Sequence, residues 1–241
     1  MKIKVLGSSS KGNCYIIETA TSTLVLEAGI KFEEVKKNLN FNLDKVCGCL
    51  VTHEHKDHSK YIADFLRHGI KVFTSEGTLR EINIQNHNLV VIEKLKPYEI
   101  SDFTVMPFDV EHDVAEPFGY LIQYKPTRQK FIFATDTYYL KYNFKNIDFY
   151  MVECNSDLQT LKENLKNDCI TSYHYKRLRK SHMTLETLVD FFKNTDLSKT
   201  QKIMLLHLSD QNSNEKRIQS VISDITKKET IIAKDCIEIE V

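Results

Sequence analysis

The chain has 241 residues, of which 41% are hydrophobic and 27% charged, and its 33 basic and 33 acidic side chains give a formal net charge of zero. This composition is typical of a globular protein with a sizeable core, and it excludes a disordered chain and a small disulfide-stapled domain. No global electrostatic field favours nucleic acid, and no apolar run approaches the ~20 residues of a membrane span.

Cysteine usage predicts a reducing environment. The six cysteines are scattered along the chain and include no CxxC pair. Such a pattern favours reduced thiols over a disulfide framework. Met1 leads directly into a strand-like run, so no secretory signal is expected. The expected location is therefore the cytoplasm.

The first half of the chain is rich in predicted strands, which are short β-branched runs separated by Ser, Gly and Thr turns. A helix is predicted from Ser59, as its N-cap, to Gly69, where it ends. A second short helix is predicted over Thr78–Ile84. The predicted strands have the sequences KIKVLG, NCYIIET, STLVLEAG, CGCLVT, KVFTS, FTVMPFDV, GYLIQY and KFIFAT.

The second half mixes both element types. DFYMVEC and KIMLLHLS are typical of buried strands, and two short runs, TIIA and CIEIEV, close the chain. Helical spacing of apolar residues predicts helices over 158–165, 185–192 and 215–225. No linker or repeat divides the chain, so a single domain over 1–241 is expected. Strands interleaved with helices favour an α/β fold with two sheets and helices packed outside.

The strongest chemical signal is the segment HEHKDH at positions 53–58, which has the pattern HxHxDH. It lies between a predicted strand and a predicted helix. Three imidazoles and one carboxylate would be difficult to satisfy in a core, but on a strand-to-helix turn they converge on one point. Nitrogen and oxygen donors suit a borderline metal such as zinc. The alternative is a solvent-exposed His-rich turn.

HxHxDH directly after a strand resembles the signature of the metallo-β-lactamase superfamily, and the likeness spans the whole chain. The resemblance implies a four-layer αββα sandwich of two mixed sheets with helices on the outer faces. It also implies two divalent metal ions, zinc first and manganese as the alternative. A later His, a bridging Asp and a last His complete such sites, and PFDVEHD, FIFATDT and LLHLSD each offer one at a strand end. The implied ligands are His53, His55 and His112 for one ion, Asp57, His58 and His207 for the other, and Asp136 as the bridge.

The resemblance also implies a hydrolytic mechanism. Two metal ions depress the pKa of bound water and neutralise charge that grows on a phosphoryl or acyl oxygen. Asp57 would both ligate a metal and orient the hydroxide. One position departs from the family, which usually has Asp in a run like LLIDAG where this chain has Glu27 in LVLEAG. Glu27 is either a longer-reaching hydrogen-bond partner of a ligand His or an ordinary acidic residue at a strand end.

Two segments favour phosphodiester cleavage. Ser181 to Thr184, SHMT, resembles the HMT or HST segment of RNase Z, which implies that His182 is a general acid for the leaving oxygen. The alternative is a structural His near a helix start. GSSSKGN after the first strand, HLSDQN at His207 and the Glu153–Asn155 stretch resemble motifs of the small YycJ-type exonucleases. The tRNA-gripping arm of RNase Z is not found, which argues against tRNA 3′ processing.

Phosphate contacts are predicted beside these motifs. Backbone amides of a Ser/Gly turn can bind a terminal phosphate. The basic run Lys176–Lys180 before His182 either holds a phosphate backbone or is a solvated loop. The predicted phosphate-binding residues are Ser9, Ser10, Asn13, Ser209, Arg177 and Arg179.

The sequence thus predicts a dinuclear-metal phosphodiester hydrolase of exonuclease type acting on DNA or RNA, with Asp57 and His182 as catalytic residues. A hydrolase of small nucleotides or cyclic phosphodiesters is the alternative within enzymes. A metal-binding regulatory protein without turnover is the alternative of another class. The expected partner is a nucleic acid or nucleotide phosphodiester, no membrane partner is expected, and a homodimer stays open.

Overall fold

The computed structural model describes residues 1–241 as fourteen strands and eight helices. The strands are β1 (Lys2–Ser9), β2 (Gly12–Glu18), β3 (Thr23–Leu26), β4 (Val46–Leu50), β5 (Val72–Thr74), β6 (Leu89–Val91), β7 (Tyr98–Ile100), β8 (Phe103–Asp109), β9 (Phe118–Tyr124), β10 (Gln129–Ala134), β11 (Phe149–Glu153), β12 (Lys202–Leu206), β13 (Glu229–Ile232) and β14 (Glu238–Glu240). The helices are α1 (Phe32–Asn38), α2 (Lys56–Ser59), α3 (Ile62–Arg67), α4 (Glu76–Ile82), α5 (Leu158–Lys166), α6 (Ser172–Ser181), α7 (Leu185–Lys193) and α8 (Glu215–Thr226).

The strands form two seven-stranded sheets, with the orders β14-β1-β2-β3-β4-β5-β6 and β13-β12-β11-β10-β9-β8-β7. In the first sheet, β14, β1, β2 and β3 pair antiparallel, whereas β3, β4, β5 and β6 pair parallel. In the second, β7, β8 and β9 are antiparallel, and β10 to β13 are parallel. Both sheets are therefore mixed, as predicted.

The chain consists of two compact units. Unit 1 comprises Met1–Asp109, Val114–Arg128 and Ala233–Val241, and unit 2 comprises Val110–Asp113 and Gln129–Ile232. The expectation of a single domain over the whole chain stays a prediction. No helix of the structure combines the length and the apolar character that crossing a bilayer requires.

The core of unit 1 is built where α1 and α3 cover the first sheet. Phe32 and Val35 of α1 and Phe65 of α3 are buried against sheet residues such as Ile16 and Val25. The rings of Phe32 and Phe65 meet edge to face, with centroids 4.6 Å apart. This packing anchors the segment between β4 and α3, which carries HxHxDH.

The N-terminus of α3 corrects one prediction. Ser59 does not cap this helix; it ends α2, and its hydroxyl donates a hydrogen bond to the Glu54 carbonyl oxygen at 2.7 Å. Helix α3 begins at Ile62, and its N-cap residue Tyr61 makes no side-chain cap hydrogen bond. The Tyr61 amide instead donates to the Ala28 carbonyl at 2.9 Å. The helical backbone is interrupted between α2 and α3, because the Tyr61 amide binds the Ala28 carbonyl just after β3.

The core of unit 2 follows from its parallel strands. Strands β10, β11 and β12 are nearly continuous apolar runs, which is typical of parallel strands buried on both faces. Helices α7 and α8 bury one face each, through residues such as Leu188 and Phe192 of α7 and Ile218 and Ile222 of α8. The Phe192 ring packs edge to face on Tyr150, with centroids 5.4 Å apart.

Most predicted elements are confirmed to within two or three residues at their ends, but helices α1, α2 and α6 and strands β6 and β7 were not predicted. Helix α6 has no apolar stripe, because its sequence SYHYKRLRKS is polar almost all round. Its start is fixed by Thr171, whose hydroxyl oxygen accepts a hydrogen bond from the His174 amide at 3.1 Å. Of the two alternatives for the basic run at 176–180, the solvated loop is wrong, since the run lies in a helix, and phosphate binding stays a prediction.

Gly29 is the point where HxHxDH packs on the end of β3. The Gly29 amide donates to the Asn13 carbonyl at 3.0 Å, and the neighbouring Ala28 amide donates to the His58 carbonyl at 2.7 Å. A Cβ atom at Gly29 would lie 1.7 Å from the Asp57 carbonyl oxygen. Only glycine allows this approach of two backbone segments.

We expect Gly29→Ala to lower the free energy of unfolding by about 3 kcal/mol, the upper end of the usual cost of overpacking, because the clash is with backbone and not with a flexible side chain. Chemical denaturation measures the loss. Gly69→Ala is the control: its Cβ meets nothing within 4 Å, and its φ of +75° costs about 1–2 kcal/mol. Equal losses in the two variants would contradict the account.

Candidate functional site

HxHxDH brings its four polar residues together within unit 1. It follows β4 and ends inside α2. The ring centroids of His53 and His55 are 4.8 Å apart, and those of His53 and His58 are 4.2 Å apart. His58 Nε2 lies 3.2 Å from Asp57 Oδ2. His53 and His58 are buried, whereas Asp57 is partly exposed. This is the convergence that the spacing predicts.

Neighbouring polar groups orient these imidazoles. Thr52 Oγ1 lies 2.9 Å from His53 Nδ1. Asn13, which is fully buried, places its amide nitrogen 3.1 Å from His58 Nε2. A hydrogen bond to one ring nitrogen fixes the tautomer and therefore the role of the other nitrogen. The loop is thus held by its surroundings and not only by its own sequence.

Glu27 reaches the same cluster from the end of β3. Its Oε2 lies 3.5 Å from His58 Nδ1 and accepts a hydrogen bond from the Thr52 amide at 3.4 Å. Glu27 has a left-handed φ of 69° and is fully buried. Burial raises the pKa of Glu27, and nearby His58 opposes the rise. The extra methylene therefore still lets a carboxylate approach an imidazole of the HxHxDH segment.

In unit 2, the other three predicted ligands also meet. His112 Nε2 lies 3.7 Å from Asp136 Oδ2, and His207 Nδ1 lies 3.4 Å from Asp136 Oδ1. Asp136 follows the end of β10 and His207 follows β12, and both adopt left-handed φ values of 46° and 53°. Parallel strands present their carboxyl ends at one edge of a sheet, so residues after β10 and β12 converge.

The protonation of His112 suits a ligand. Its Nδ1–H donates a hydrogen bond to the Ser181 carbonyl at 2.9 Å, which leaves Nε2 as the acceptor nitrogen on the Asp136 side. Burial lowers the pKa of His112, which favours the neutral ring. A neutral imidazole with its far N–H bonded to a carbonyl is the usual state of a metal-ligating His.

Glu153 is a site residue that the sequence analysis did not assign. It ends β11, is fully buried, and its Oε1 lies 2.6 Å from His182 Nδ1 and 3.4 Å from His207 Nδ1. Its Oε2 accepts hydrogen bonds from the Thr137 amide at 2.9 Å and the Met183 amide at 3.1 Å. The likeness of Glu153–Asn155 to a YycJ-type motif was the signal that could have identified it.

His182 stands between two helices, as the C-cap of α6 and two residues before Thr184, the N-cap of α7. Its ring stacks on His207, with centroids 5.5 Å apart. Burial lowers the pKa of His182, but the charge and hydrogen bond of Glu153 outweigh burial, so the pKa is raised above its ordinary value. For Glu153 the effects have the opposite sign. Burial raises its pKa, but the charge and hydrogen bond of His182 outweigh burial, so the pKa of Glu153 is lowered below its ordinary value. The two side chains form an ion pair in which Glu153 is buried and His182 is partly buried.

The predicted phosphate-binding residues have varied surroundings, and their role stays a prediction. The Asn13 amide already contacts His58, whereas Ser10 is exposed and Ser9 partly so. Ser209 is half-buried, and its hydroxyl accepts from the Asn212 amide at 3.2 Å. Both arginines are exposed on α6: Arg177 Nε lies 3.9 Å from Asp113, and the Arg179 guanidinium lies 5.7 Å from the Tyr175 ring centroid.

The donors in unit 2 can hold a divalent metal ion. One carboxylate oxygen or ring nitrogen from each member of a set of four lies within 4.8 Å of every other, and the set is Asp136, Glu153, His182 and His207. Mixed imidazole and carboxylate donors are those that zinc and manganese accept. Asp136 and His207 therefore offer donors that fit a divalent metal, whereas Glu153 and His182 are already paired with each other.

Comparison with known proteins establishes the family. Residues 25–208 match the beta-lactamase superfamily domain, so the chain belongs to the beta-lactamase superfamily. Exodeoxyribonuclease WalJ of Streptococcus pneumoniae is 25% identical over 232 residues, which cover 88% of this chain and 83% of WalJ. Exodeoxyribonuclease YycJ of Bacillus anthracis is 25% identical over 257 residues, covering 99% of this chain and 94% of YycJ. The resemblance to YycJ-type exonucleases is confirmed.

Two solved structures show the fold. YhfI from Bacillus subtilis, a metallo-beta-lactamase fold protein, has a TM-score of 0.77 at 14% identity, covering 100% of this chain and 99% of YhfI. The short form of human tRNase Z has a TM-score of 0.65 at 13% identity, covering 100% of this chain and 99% of that protein. The predicted metallo-β-lactamase fold is confirmed.

We expect Glu153→Gln to lower the pKa of His182, because the substitution removes the charge that stabilises the imidazolium. NMR titration of the His182 ring in metal-free protein measures the change. Glu163→Gln, in an exposed part of α5, is the control and should leave that pKa unchanged. An unaltered His182 pKa in Glu153→Gln would show that the carboxylate does not govern the imidazole.

Proposed function

We propose that this protein is a metal-dependent phosphodiester hydrolase that degrades nucleic acid as an exonuclease. The observation that carries the proposal is the short contact of His182 Nδ1 with the buried Glu153 carboxylate, 2.6 Å, beside Asp136 and His207. A partly buried imidazole held in this way can give a proton to an alkoxide that leaves from phosphorus. The two relatives named exodeoxyribonucleases, aligned over most of their lengths, support the same substrate class.

Two divalent ions are proposed, with zinc preferred and manganese as the alternative. When bound, such ions supply a nucleophile near neutral pH and offset negative charge on a phosphoryl oxygen. The proposal rests on family membership and on the donor chemistry of the two residue sets. The proposed ligands are His53, His55 and His112 for one ion, Asp57, His58 and His207 for the other, and Asp136 as the bridge.

The chain's own residues have three tasks. Asp57 orients the attacking oxygen through its carboxylate. Glu153 accepts the Nδ1–H of His182 and so directs the opposite nitrogen, Nε2, towards the leaving oxygen. Ser9, Ser10, Asn13 and Ser209 are proposed to bind a terminal phosphate, and the arginines of α6 to hold the backbone behind it.

A cleavage assay tests the proposal. Metal-loaded protein is incubated with single strands and duplexes of DNA and RNA labelled at the 5′ or the 3′ end. An exonuclease releases mononucleotides from one end, so one label should appear at once as a short product. Cleavage at internal positions would show an endonuclease and contradict the proposed exonuclease activity. Hydrolysis of cyclic or small phosphodiesters alone would contradict nucleic acid as the substrate. A metal-loaded protein that hydrolyses none of these substrates would contradict the proposal that the protein is an enzyme.

Substitution of single ligands should abolish activity. We expect His112→Ala and Asp57→Ala each to lower turnover by orders of magnitude, because each removes a donor to the metal. Circular dichroism should show the β-rich fold retained, and elemental analysis should show less bound metal. His87→Ala, an exposed His outside the proposed ligand set, is the control. Full activity in either ligand variant would make the ligand assignment wrong.

The general-acid role of His182 has its own signature. His182→Ala should lose roughly 10²- to 10⁴-fold in turnover on nucleic acid. The loss should shrink on a nitrophenyl phosphodiester, because a good leaving group needs little protonation. Metal content should not change. Equal losses on both substrates with metal intact would remove the general-acid role, and a loss of metal would make His182 a ligand.

A further inference from the structure

We propose that helix α6 is a binding surface for an unpaired nucleic-acid strand, with Tyr173 stacking on one base and Lys176, Arg177 and Lys180 contacting successive phosphates. The inference rests on the proposed function and defines the substrate's form: the strand is single where it leaves the cleavage site.

The four side chains occupy one stripe of α6. Their positions are spaced i, i+3, i+4 and i+7, which places them on the same face of a helix. Tyr173 is 79% exposed, against 63% for Phe41, another strongly exposed aromatic residue. Lys176, Arg177 and Lys180 are also exposed, and α6 contains no acidic residue. A solvent-exposed aromatic ring beside three cations contributes nothing to the packing of the core.

Charge within the stripe is weakly compensated. Arg177 Nε lies 3.9 Å from Asp113 Oδ2, but both side chains are more than half exposed, at 58% and 51%. Such a surface pair contributes little and exchanges readily for a phosphate. Arg179 is held differently, with its guanidinium over the Tyr175 ring, so it lies outside the stripe.

The C-terminal end of α6 is fixed to the candidate site. The Ser181 carbonyl accepts a hydrogen bond from His112 Nδ1 at 2.9 Å, and the His182 amide donates to the Leu178 carbonyl at 3.0 Å. Lys180 therefore directly precedes the segment that holds a proposed ligand and the proposed acid. A strand lying along the stripe has its end beside His182.

The dimensions favour a few nucleotides. Seven residues of helix rise about 10 Å, which matches about three nucleotides at a stacked spacing of ~3.4 Å. The exposed Tyr favours an unpaired strand over a duplex, because a base must be unstacked before an aromatic side chain can cover its face. A rigid helix presents these groups without the entropic cost of ordering a loop.

Fluorescence anisotropy tests the proposal on the metal-loaded full chain, with a phosphorothioate single strand of 15 nucleotides as a cleavage-resistant probe and a blunt duplex of equal length beside it. The variants are Tyr173→Ala, Tyr173→Phe and the triple change Lys176→Gln, Arg177→Gln and Lys180→Gln. A matched charge control replaces three exposed lysines of unit 2 outside α6, namely Lys193, Lys199 and Lys216, by Gln.

Tyr173→Ala should weaken single-strand binding roughly 5- to 150-fold while Tyr173→Phe retains it, because stacking needs the ring and not the hydroxyl. The triple variant should reduce the slope of log K against log salt by about 2, since three phosphate contacts each contribute about 0.7. The control should keep the wild-type slope, and Tyr173→Ala should not alter duplex binding.

Equal single-strand affinities for Tyr173→Ala and Tyr173→Phe, or a salt slope in the triple variant that equals the control's, would overturn the role of α6. An equal effect of Tyr173→Ala on the duplex would assign the surface to duplexes and overturn the unpaired strand. If wild-type protein cleaves nucleic acid while these variants bind normally, only this inference fails. If wild-type protein neither binds nor cleaves nucleic acid, the proposed function fails with it.

Discussion

The polar cluster of each unit depends on a backbone constraint where strands end. Glu27, Asp136 and His207 leave β3, β10 and β12 in the left-handed region, with φ values of 69°, 46° and 53°, and all three are buried. Each costs about 1–2 kcal/mol relative to an ordinary conformation. The packing of the buried parallel strands offsets this cost, because it fixes where the backbone must turn after each strand. In return, each side chain is directed into a polar cluster and away from the sheet.

The sequence predicted the fold and indicated the residues proposed as ligands because the signals are local. HxHxDH after an apolar strand, and one His or Asp at each later strand end, require only a strand and the residue beyond it. The apolar runs of β10, β11 and β12 likewise identify buried parallel strands without knowledge of their neighbours. Helices α7 and α8 were predicted because one face of each is apolar.

Other features depend on contacts that no local pattern records. Three residues, Thr137, His182 and Met183, make hydrogen bonds to the Glu153 carboxylate. Of these, only His182 can be recognised from the sequence as a candidate catalytic residue. Helix α6 lacks an apolar face, so its helical state follows from a Thr171 cap and from His112 binding its last turn. The sequence favours Ser59 as the N-cap of a helix. In the structure the Tyr61 amide donates a hydrogen bond to the Ala28 carbonyl, just beyond β3, and α3 begins at Ile62.

Anomalous diffraction at the zinc edge, on crystals of zinc-reconstituted protein, tests the central claim most directly, because it locates each ion against its ligands. The account predicts two zinc peaks. The first should contact His53, His55 and His112, the second should contact Asp57, His58 and His207, and Asp136 should contact both. Absence of any peak at these residues, or zinc bound only by cysteines such as the exposed Cys169 and Cys236, would contradict it.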